Sequence, residues 1–403
     1  MNSSANGDAT NWGSEPISKL VDKVEKWNPK SSKSGGTFTY IDLGSVDRHE
    51  KRIVDPQQVE CSEAPSRARQ RVRSNDILVA TVRPNLNGVA TVPEEMNEAT
   101  ASTGFCVLRP KSAVLDSGFL FHWVKTPRFV RDMVRKATGA NYPAVSDRII
   151  GRSKIPLPSL DEQKRIAEVL DRAEALRARR RAALALLDEL TQSIFLDMFG
   201  DPGTNERDWD SIKLGQVVKV VGGYAFKSKD FSEEGAPVVR ISNLTGNGVD
   251  YSKAARIPDD KVGKGSGYRI LPGDILMAMS GATTGKLGLV STDLQETVYQ
   301  NQRVGNFRIS DDKRIAREFL IGFVRSPIYQ RHLWNLAAGV AQPNVSGKQL
   351  ESAPVHLPPI KLQEDYGKRI EQIRQLRSHH RRALTSLDEL FSALQHRAFR
   401  GEL

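Results

Sequence analysis

Cysteine is scarce in this chain of 403 residues: Cys61 and Cys106 are the only two, at a spacing that suits neither a zinc site nor a redox pair. A disulfide-stapled scaffold and a zinc finger are thereby excluded. Cys106 sits in Phe105-Cys106-Val107-Leu108, the setting of a buried free thiol. Long apolar runs are also missing, since nothing approaches the eighteen residues or so that a membrane-spanning helix needs. Residues 1–15 have neither a basic patch nor an apolar core, so they do not read as a secretory signal; a frayed terminus and a cytoplasmic protein are expected. Acidic residues are in deficit, 48 against 59 Lys and Arg, giving a net charge of +11 that favours an acidic partner such as nucleic acid.

Catalytic constellations are absent as well. Gly281-Ala282-Thr283-Thr284-Gly285-Lys286-Leu287 has three residues between its glycines where a phosphate-binding loop has four, and Leu287 stands where the metal-binding Ser or Thr belongs. His49, His122, His332, His356, His379, His380 and His396 show no metal-ligand spacing, and no metal site is expected. The chain has no Asp/Asn-Pro-Pro-aromatic tetrapeptide to hold a target adenine, nor a Gly-rich strand-to-helix site for S-adenosylmethionine. An enzyme is not expected, and no catalytic residue is assigned.

What is present is a repeat with a period of 200 residues. Leu187-Asp188-Glu189-Leu190 recurs as Leu387-Asp388-Glu389-Leu390, and Gly139, Pro143, Val145 and Ser146 recur as Gly339, Pro343, Val345 and Ser346. The same offset relates Leu157-Pro158 and Gln163 to Leu357-Pro358 and Gln363, Leu176-Arg177 to Leu376-Arg377, and Phe119-Leu120 to Phe319-Leu320. Upstream, Asp76-Ile77-Leu78 answers Asp274-Ile275-Leu276 at an offset two residues shorter. Each half is a variable globular unit of about 155 residues followed by a better-matched segment of about 45.

The matched segments predict helices. Ser159 and Glu162 form a capping box after a proline-rich stop, and neither proline nor glycine interrupts the pattern to Met198. Ile166, Val169, Ala173, Leu176, Ala183, Leu187, Leu190 and Ile194 fall on alternating spacings of three and four, with Arg180 the one misfit. The second copy gives Ile373, Leu376, Ala383, Leu387, Leu390 and Leu394, so each helix carries a coiled-coil seam. Thirty-eight residues make a rod of roughly 55 Å. Packing the two rods antiparallel is the simplest solution; homodimerisation through the seams is the alternative. The helices contribute −1 and +4 to the charge, leaving +8 elsewhere, almost wholly in the globular parts.

The expected fold is α+β: two mixed, β-rich domains separated by two long antiparallel helices. Strands are predicted near 38–41, 76–82, 238–241 and 274–279, and short helices near 119–125, 129–136 and 314–325. Two polar clusters suit DNA. Gln300, Asn301, Gln302 and Arg303 concentrate the side chains that match adenine and guanine edges, with an ordinary polar strand end as the plain alternative. Arg67, Arg69, Arg71 and Arg73 alternate with Ala68, Gln70 and Val72, which on a strand puts four guanidiniums on one face, for phosphate contact, with plain solvation as the alternative. The 281–286 turn, with Thr283, Thr284 and Lys286, is weighed evenly between a phosphate contact and a plain turn. Arg83-Pro84-Asn85-Leu86-Asn87-Gly88 stands at the corresponding place in the first half, and the difference implies that the halves read different sequences.

The pattern resembles the specificity subunit of type I restriction-modification systems over nearly the whole chain. The carriers are the proline-capped helix starts, Leu157-Pro158-Ser159-Leu160-Asp161-Glu162-Gln163 and Leu357-Pro358-Pro359-Ile360-Lys361-Leu362-Gln363, the strand Gly273-Asp274-Ile275-Leu276, and the 281–286 turn. Asn75 replaces the glycine in the first half, which also lacks the lysine turn, and Asp365-Tyr366 replaces Arg165-Ile166, weakening the seam there. The resemblance implies target-recognition domains at 1–155 and 201–355 and spacer helices at 156–200 and 356–403. Each domain then reads half of a split sequence in double-stranded DNA, and the helices set the gap. It also implies a host-defence complex in which two modification subunits dock on the helices for DNA methylation and up to two restriction subunits join. S-adenosylmethionine, ATP and Mg would belong to those partners, and none to this chain. A non-catalytic coiled-coil scaffold with protein- or carbohydrate-binding ends is the competing reading. A nuclease or methyltransferase in its own right would need a catalytic cluster that the sequence does not offer.

Overall fold

The structure, a computed structural model, describes residues 12–31, 35–337 and 344–403. Residues 1–11 of the expected frayed terminus, and Gly339 and Pro343 of the repeat, lie outside the described residues, but the end of that segment is not frayed: Ser14–Pro16 is a strand paired antiparallel with Lys154–Pro156. The chain divides into two compact units, Met1–Ala182 with Arg381–Leu403, and Ala183–His380. Each unit therefore owns half of each long helix. No helix of the described residues is long and apolar enough to cross a membrane.

The repeat is a repeat of topology. In the first unit, Val21–Asp22, Phe105–Pro110, Ile77–Ala80 and Val89–Thr91 form one four-stranded sheet in that order. In the second, Val218–Gly222, Val304–Ile309, Ile275–Ala278 and Leu287–Leu289 do the same. The other four-stranded sheet of each unit contains one parallel pair, Thr37–Ile41 beside Thr100–Ser102 and Ala236–Val239 beside Val298–Gln300. The short helices fall where expected, at Ser117–Val124, Pro127–Lys136 and Arg317–Arg325.

The long helices run over Leu160–Phe199 and Ile360–Ala398, about 60 Å each at 1.5 Å per residue. Ser159 keeps half of its capping box: its hydroxyl accepts from the Glu162 amide at 3.4 Å, while the Glu162 carboxylate turns to Arg165. What fixes each helix start is the repeated glutamine. Gln163 accepts from the Asp116 amide and donates to the Val114 and Pro158 carbonyls. Gln363 accepts from the Ala316 amide and donates to the Arg314 and Pro358 carbonyls. Both are fully buried, so each amide satisfies backbone groups that would otherwise be stranded between helix and domain.

Within each unit the two helices run antiparallel. Arg177 meets Asp388 at 2.6 Å in the first unit, and Arg377 meets Asp188 at 2.8 Å in the second. These are the repeated Leu-Arg and Leu-Asp-Glu-Leu residues, and their ion pairs fix the register. Aromatic contacts close the ends: Phe399 packs on Phe119 with ring centroids 5.1 Å apart, and its counterpart Phe199 packs on Phe319 at 4.9 Å. Ile166, Leu170 and Ala173 join the first core, and Phe195, Tyr366, Ile370 and Ile373 the second. Tyr366 does not weaken the seam. It is buried against Phe195 and Phe199, so an aromatic ring fills the place of Ile166.

The predicted seam needs a correction. Ile166, Ala173 and Ile373 are buried and Val169, Leu187 and Leu387 half-buried, but Leu176, Leu190, Leu376 and Leu390 are 45–51% exposed. In the first helix the positions turned inward in place of Leu176 and Leu190 are Arg177 and Thr191, one residue further along, while Leu170 is buried next to Val169 and Leu184 is half-buried like Ala183. Arg177 tolerates this because its guanidinium pairs with Asp388 and lies 4.4 Å over the Phe391 ring. An apolar-only reading of the seam picked the neighbouring leucines.

Candidate nucleic-acid interface

In each first-described sheet the two strands that end it form a hairpin, and the tips of these hairpins are 83–87 and 281–286. The aspartates of the repeated Asp-Ile-Leu motif lock the bases of the hairpins. Asp76 accepts from the Arg73 amide at 2.8 Å, and Asp274 from the Leu271 amide at 2.8 Å. The turn so closed needs a left-handed residue, and Asn75 (φ 68°) supplies in the first unit what Gly273 (φ 82°) supplies in the second. Asparagine is among the non-glycine residues that accept this conformation best, so the departure preserves the turn. Asp76, almost fully buried, is also paired bidentately with Arg109 at 2.9 and 2.7 Å.

Val145 and Val345 return to the hairpin tip of their units. Val145 donates to the Thr81 carbonyl at 2.9 Å and Val345 to that of Met279 at 2.8 Å. Ser146 and Ser346 then cap the short helices Asp147–Arg152 and Gly347–Glu351. This explains the repeated Val-Ser pair: it buttons a rigid strand pair to a helix start.

The first tip is built from Arg83, Asn85 and Asn87. Arg83 and Asn85 are exposed, Asn87 half-buried, and its carbonyl accepts from Lys51 Nζ at 2.6 Å. Burial, with the Lys125 charge adding to it, brings the Lys51 ammonium down to about 8. The Arg83 guanidinium lies 4.7 Å over the ring of Tyr142. In the second unit, Lys286 is exposed at the tip, beside half-buried Thr283. Thr284 is buried and spends its hydroxyl on the Gly281 carbonyl at 2.8 Å, so it holds the turn and presents nothing outward. A phosphate-binding loop would feed a helix; this turn feeds the strand Leu287–Leu289.

The polar cluster beside that tip divides. Gln300 is 1% exposed and donates to the Val221 and Val304 carbonyls, both at 2.8 Å. It is a core amide, a correction to its expected role at a base edge. Asn301 is half-buried, whereas Gln302 and Arg303 are exposed, with Arg303 donating to Asn344 Oδ1 at 2.8 Å. A bridge between Ser280 and Asn344 puts this pair at the tip.

The four arginines of the first unit do alternate as expected, with Ala68, Gln70 and Val72 buried beneath them on and around the strand Ala68–Arg71. Their charges are not equally available. Arg71 stacks on Trp27 at 4.7 Å and lies 3.7 Å from Glu98, and Arg73 lies 3.8 Å from the same carboxylate. Arg69 donates to the Ala68 carbonyl. Arg67 is exposed, and the Thr103 amide on its carbonyl puts it at the tip end of the stripe, since the adjoining Gly104 carbonyl accepts from Thr81. Tyr142, Lys51 and Asn344 were missed in the sequence. The signal for Tyr142 was available, an aromatic next to the repeated proline at 143.

Both cysteines are buried and free, and burial pushes the Cys106 thiol well above its ordinary value. Neither lies at a tip.

Comparison with known proteins adds an independent line. The profile of the type I restriction modification DNA specificity domain matches residues 30–185 and again 206–385. The MjaVIII type I restriction enzyme specificity subunit of Methanocaldococcus jannaschii is 27% identical over 281 residues, 66% of this chain and 65% of that protein. The EcoKI specificity subunit of Escherichia coli (strain K12) is 24% identical over 359 residues, 83% of this chain and 76% of that one. Two solved structures share the fold. One, from work on complex assembly and conformational transition of the type I R-M system, has a TM-score of 0.61 at 24% identity, covering 98% of this chain and 99% of that one. The other, a type I restriction-modification S subunit from M. genitalium, has a TM-score of 0.60 at 16% identity, covering 99% and 98%.

Proposed function

The chain belongs to the family of type I restriction-modification DNA specificity domains, and on that premise we propose that it is the DNA-reading subunit of such a complex. The observation that carries this is the pair of rigidly based hairpins, one per unit. They have the same scaffold but different side chains at the tip: Arg83 and Asn85 in one, Lys286 with Arg303 in the other. Equivalent frames with unlike contact groups suit the reading of two unlike half-sites, with phosphate contacts fixing position and base contacts fixing sequence. The regularly paired long helices set the gap between the half-sites, as the spacing of linked groove-reading modules does elsewhere.

The chain recognises and does not catalyse. Two modification subunits dock on the helices, and restriction subunits join that assembly; S-adenosylmethionine, ATP and Mg are bound by those partners in the cytoplasm. Exposed leucines support the docking role, because Leu176 and Leu390 in the first unit and Leu190 and Leu376 in the second form pairs related by the repeat. One repeated surface predicts two copies of one partner.

Single-molecule sequencing of N6-methyladenine in host DNA, with and without the gene, tests this. Loss of a split, two-part methylated motif on deletion supports the role and gives both half-sites. An unchanged methylome, together with DNA binding by the purified protein that is insensitive to sequence and salt, refutes it in favour of a scaffold.

A further inference from the structure

The two hairpin tips obtain their left-handed backbone in different ways. The second uses glycine, Gly281 at φ 74° and Gly285 at φ 87°, which costs little. The first uses Arg83 at φ 51°, ψ 60° and Asn87 at φ 46°, ψ 53°. Arg83 is disfavoured there twice, as a residue with a Cβ and as the residue before Pro84. A glycine would relieve the strain and lose only the side chain. The surroundings hold the residue in place: the Arg83 amide donates to the Pro143 carbonyl at 2.7 Å, and Val82 bridges to Ala144. Strain maintained this firmly marks a position whose side chain is needed.

That side chain is already arranged for recognition. The guanidinium carbon is 4.7 Å from the centroid of the Tyr142 ring, and Tyr142 is itself 67% exposed. Stacking on the ring covers one face of the guanidinium and leaves its donor edge outward. Arg71 and Arg73 have Glu98 beside them, whereas no carboxylate pairs with Arg83 among the described residues. A planar donor fork held on an aromatic ring, at an exposed tip, matches the paired acceptors O6 and N7 of guanine in the major groove. The lysine at the second tip is a point charge without that geometry.

We infer that Arg83, stacked on Tyr142, reads a guanine in the half-site recognised by the first unit. This rests on the chain being a DNA-reading subunit, and the test separates the two. The full gene and its modification partner are expressed in a host lacking other adenine methylation, as wild type, Arg83→Lys, Arg83→Ala and Tyr142→Ala, and the methylated motif of each is read by single-molecule sequencing. Both Arg83 variants should lose discrimination at one G·C pair of one half-site, by roughly ten- to a hundred-fold. The other half-site and the gap should stay unchanged, which also shows that the protein is folded. Arg83→Lys keeps the charge, so a phosphate contact would survive it. Tyr142→Ala should give a weaker loss at the same pair. A motif unchanged in both Arg83 variants, or methylation lowered equally at all sites with the motif intact, overturns the inference. A wild type that yields no split motif overturns the recognition reading itself.

Discussion

Gln163 and Gln363 enclose the smallest repeated chemistry in the chain. Each side chain satisfies one backbone amide and two carbonyls where a long helix leaves its domain. Gln163→Leu keeps the approximate volume but strands three buried polar groups, so it should destabilise the first unit by about 1–3 kcal/mol or more, read by chemical denaturation. A loss under about 0.5 kcal/mol would show that water replaces the amide without cost. His122 allows a second test. Its imidazole is completely buried, with Nε2 2.7 Å from Asp171, and lies opposite Lys125 and Glu174. Burial, reinforced by the Lys125 charge, holds its pKa below the ordinary histidine value even against the Asp171 hydrogen bond. Below about pH 6.5 the unfolded chain binds a proton that the folded one refuses, so stability is full above that pH and falls with acidification. The melting temperature of the wild type should therefore drop more steeply from pH 7.5 to 5.5 than that of His122→Gln; parallel slopes would mean that the imidazole is not held neutral. The repeat made Gln163 and Gln363 visible in the sequence. It did not show their role, because three backbone partners from distant segments leave no local pattern. Gln300 misled for the same reason: a run of amides looks alike whether it faces a groove or the Val221 carbonyl.

The long helices are the elements best read in advance, their starts following from the proline stops and the length of the first from its lack of breakers. Their inward face departs from the apolar pattern at Leu176, Leu190, Leu376 and Leu390, which are exposed. Arg177 and Arg377 sit in the seam as ion-paired, partly buried residues, and a search for apolar periodicity passes over them. The leucines wrongly placed inside become informative outside. Leu176 and Leu390 are 48% and 49% exposed, and the repeat sets Leu376 and Leu190 in the same exposed state in the second unit. Leu176→Glu combined with Leu390→Glu should leave the melting temperature of the free protein nearly unchanged and weaken copurification of the modification subunit at least ten-fold. Equal recovery of that subunit would remove these residues from the docking surface. The hairpins, by contrast, were legible as strands and turns. Their tips were not, since the stacking of Arg83 on Tyr142 joins residues 59 positions apart.

For the whole molecule, the 200-residue offset foretold the doubled architecture, down to the same strand order in corresponding sheets. It also leads to a prediction about measurement of DNA. One heptad inserted between Ala173 and Leu187, with a matching heptad in the second helix, adds about 10.5 Å of helix, or roughly three base pairs of B-form DNA. The methylated motif should keep both half-sites and widen its gap by about that amount. Altered half-site bases would sink the ruler. The division into compact units has a further consequence, for the order in which the protein can be made. Residues 183–380 form one unit from an unbroken stretch, whereas the other must wait for 381–403 before Phe399 can cover Phe119 and Trp123. On the ribosome, the half begun first is the half completed last, and until then its aromatic face is open to chaperones.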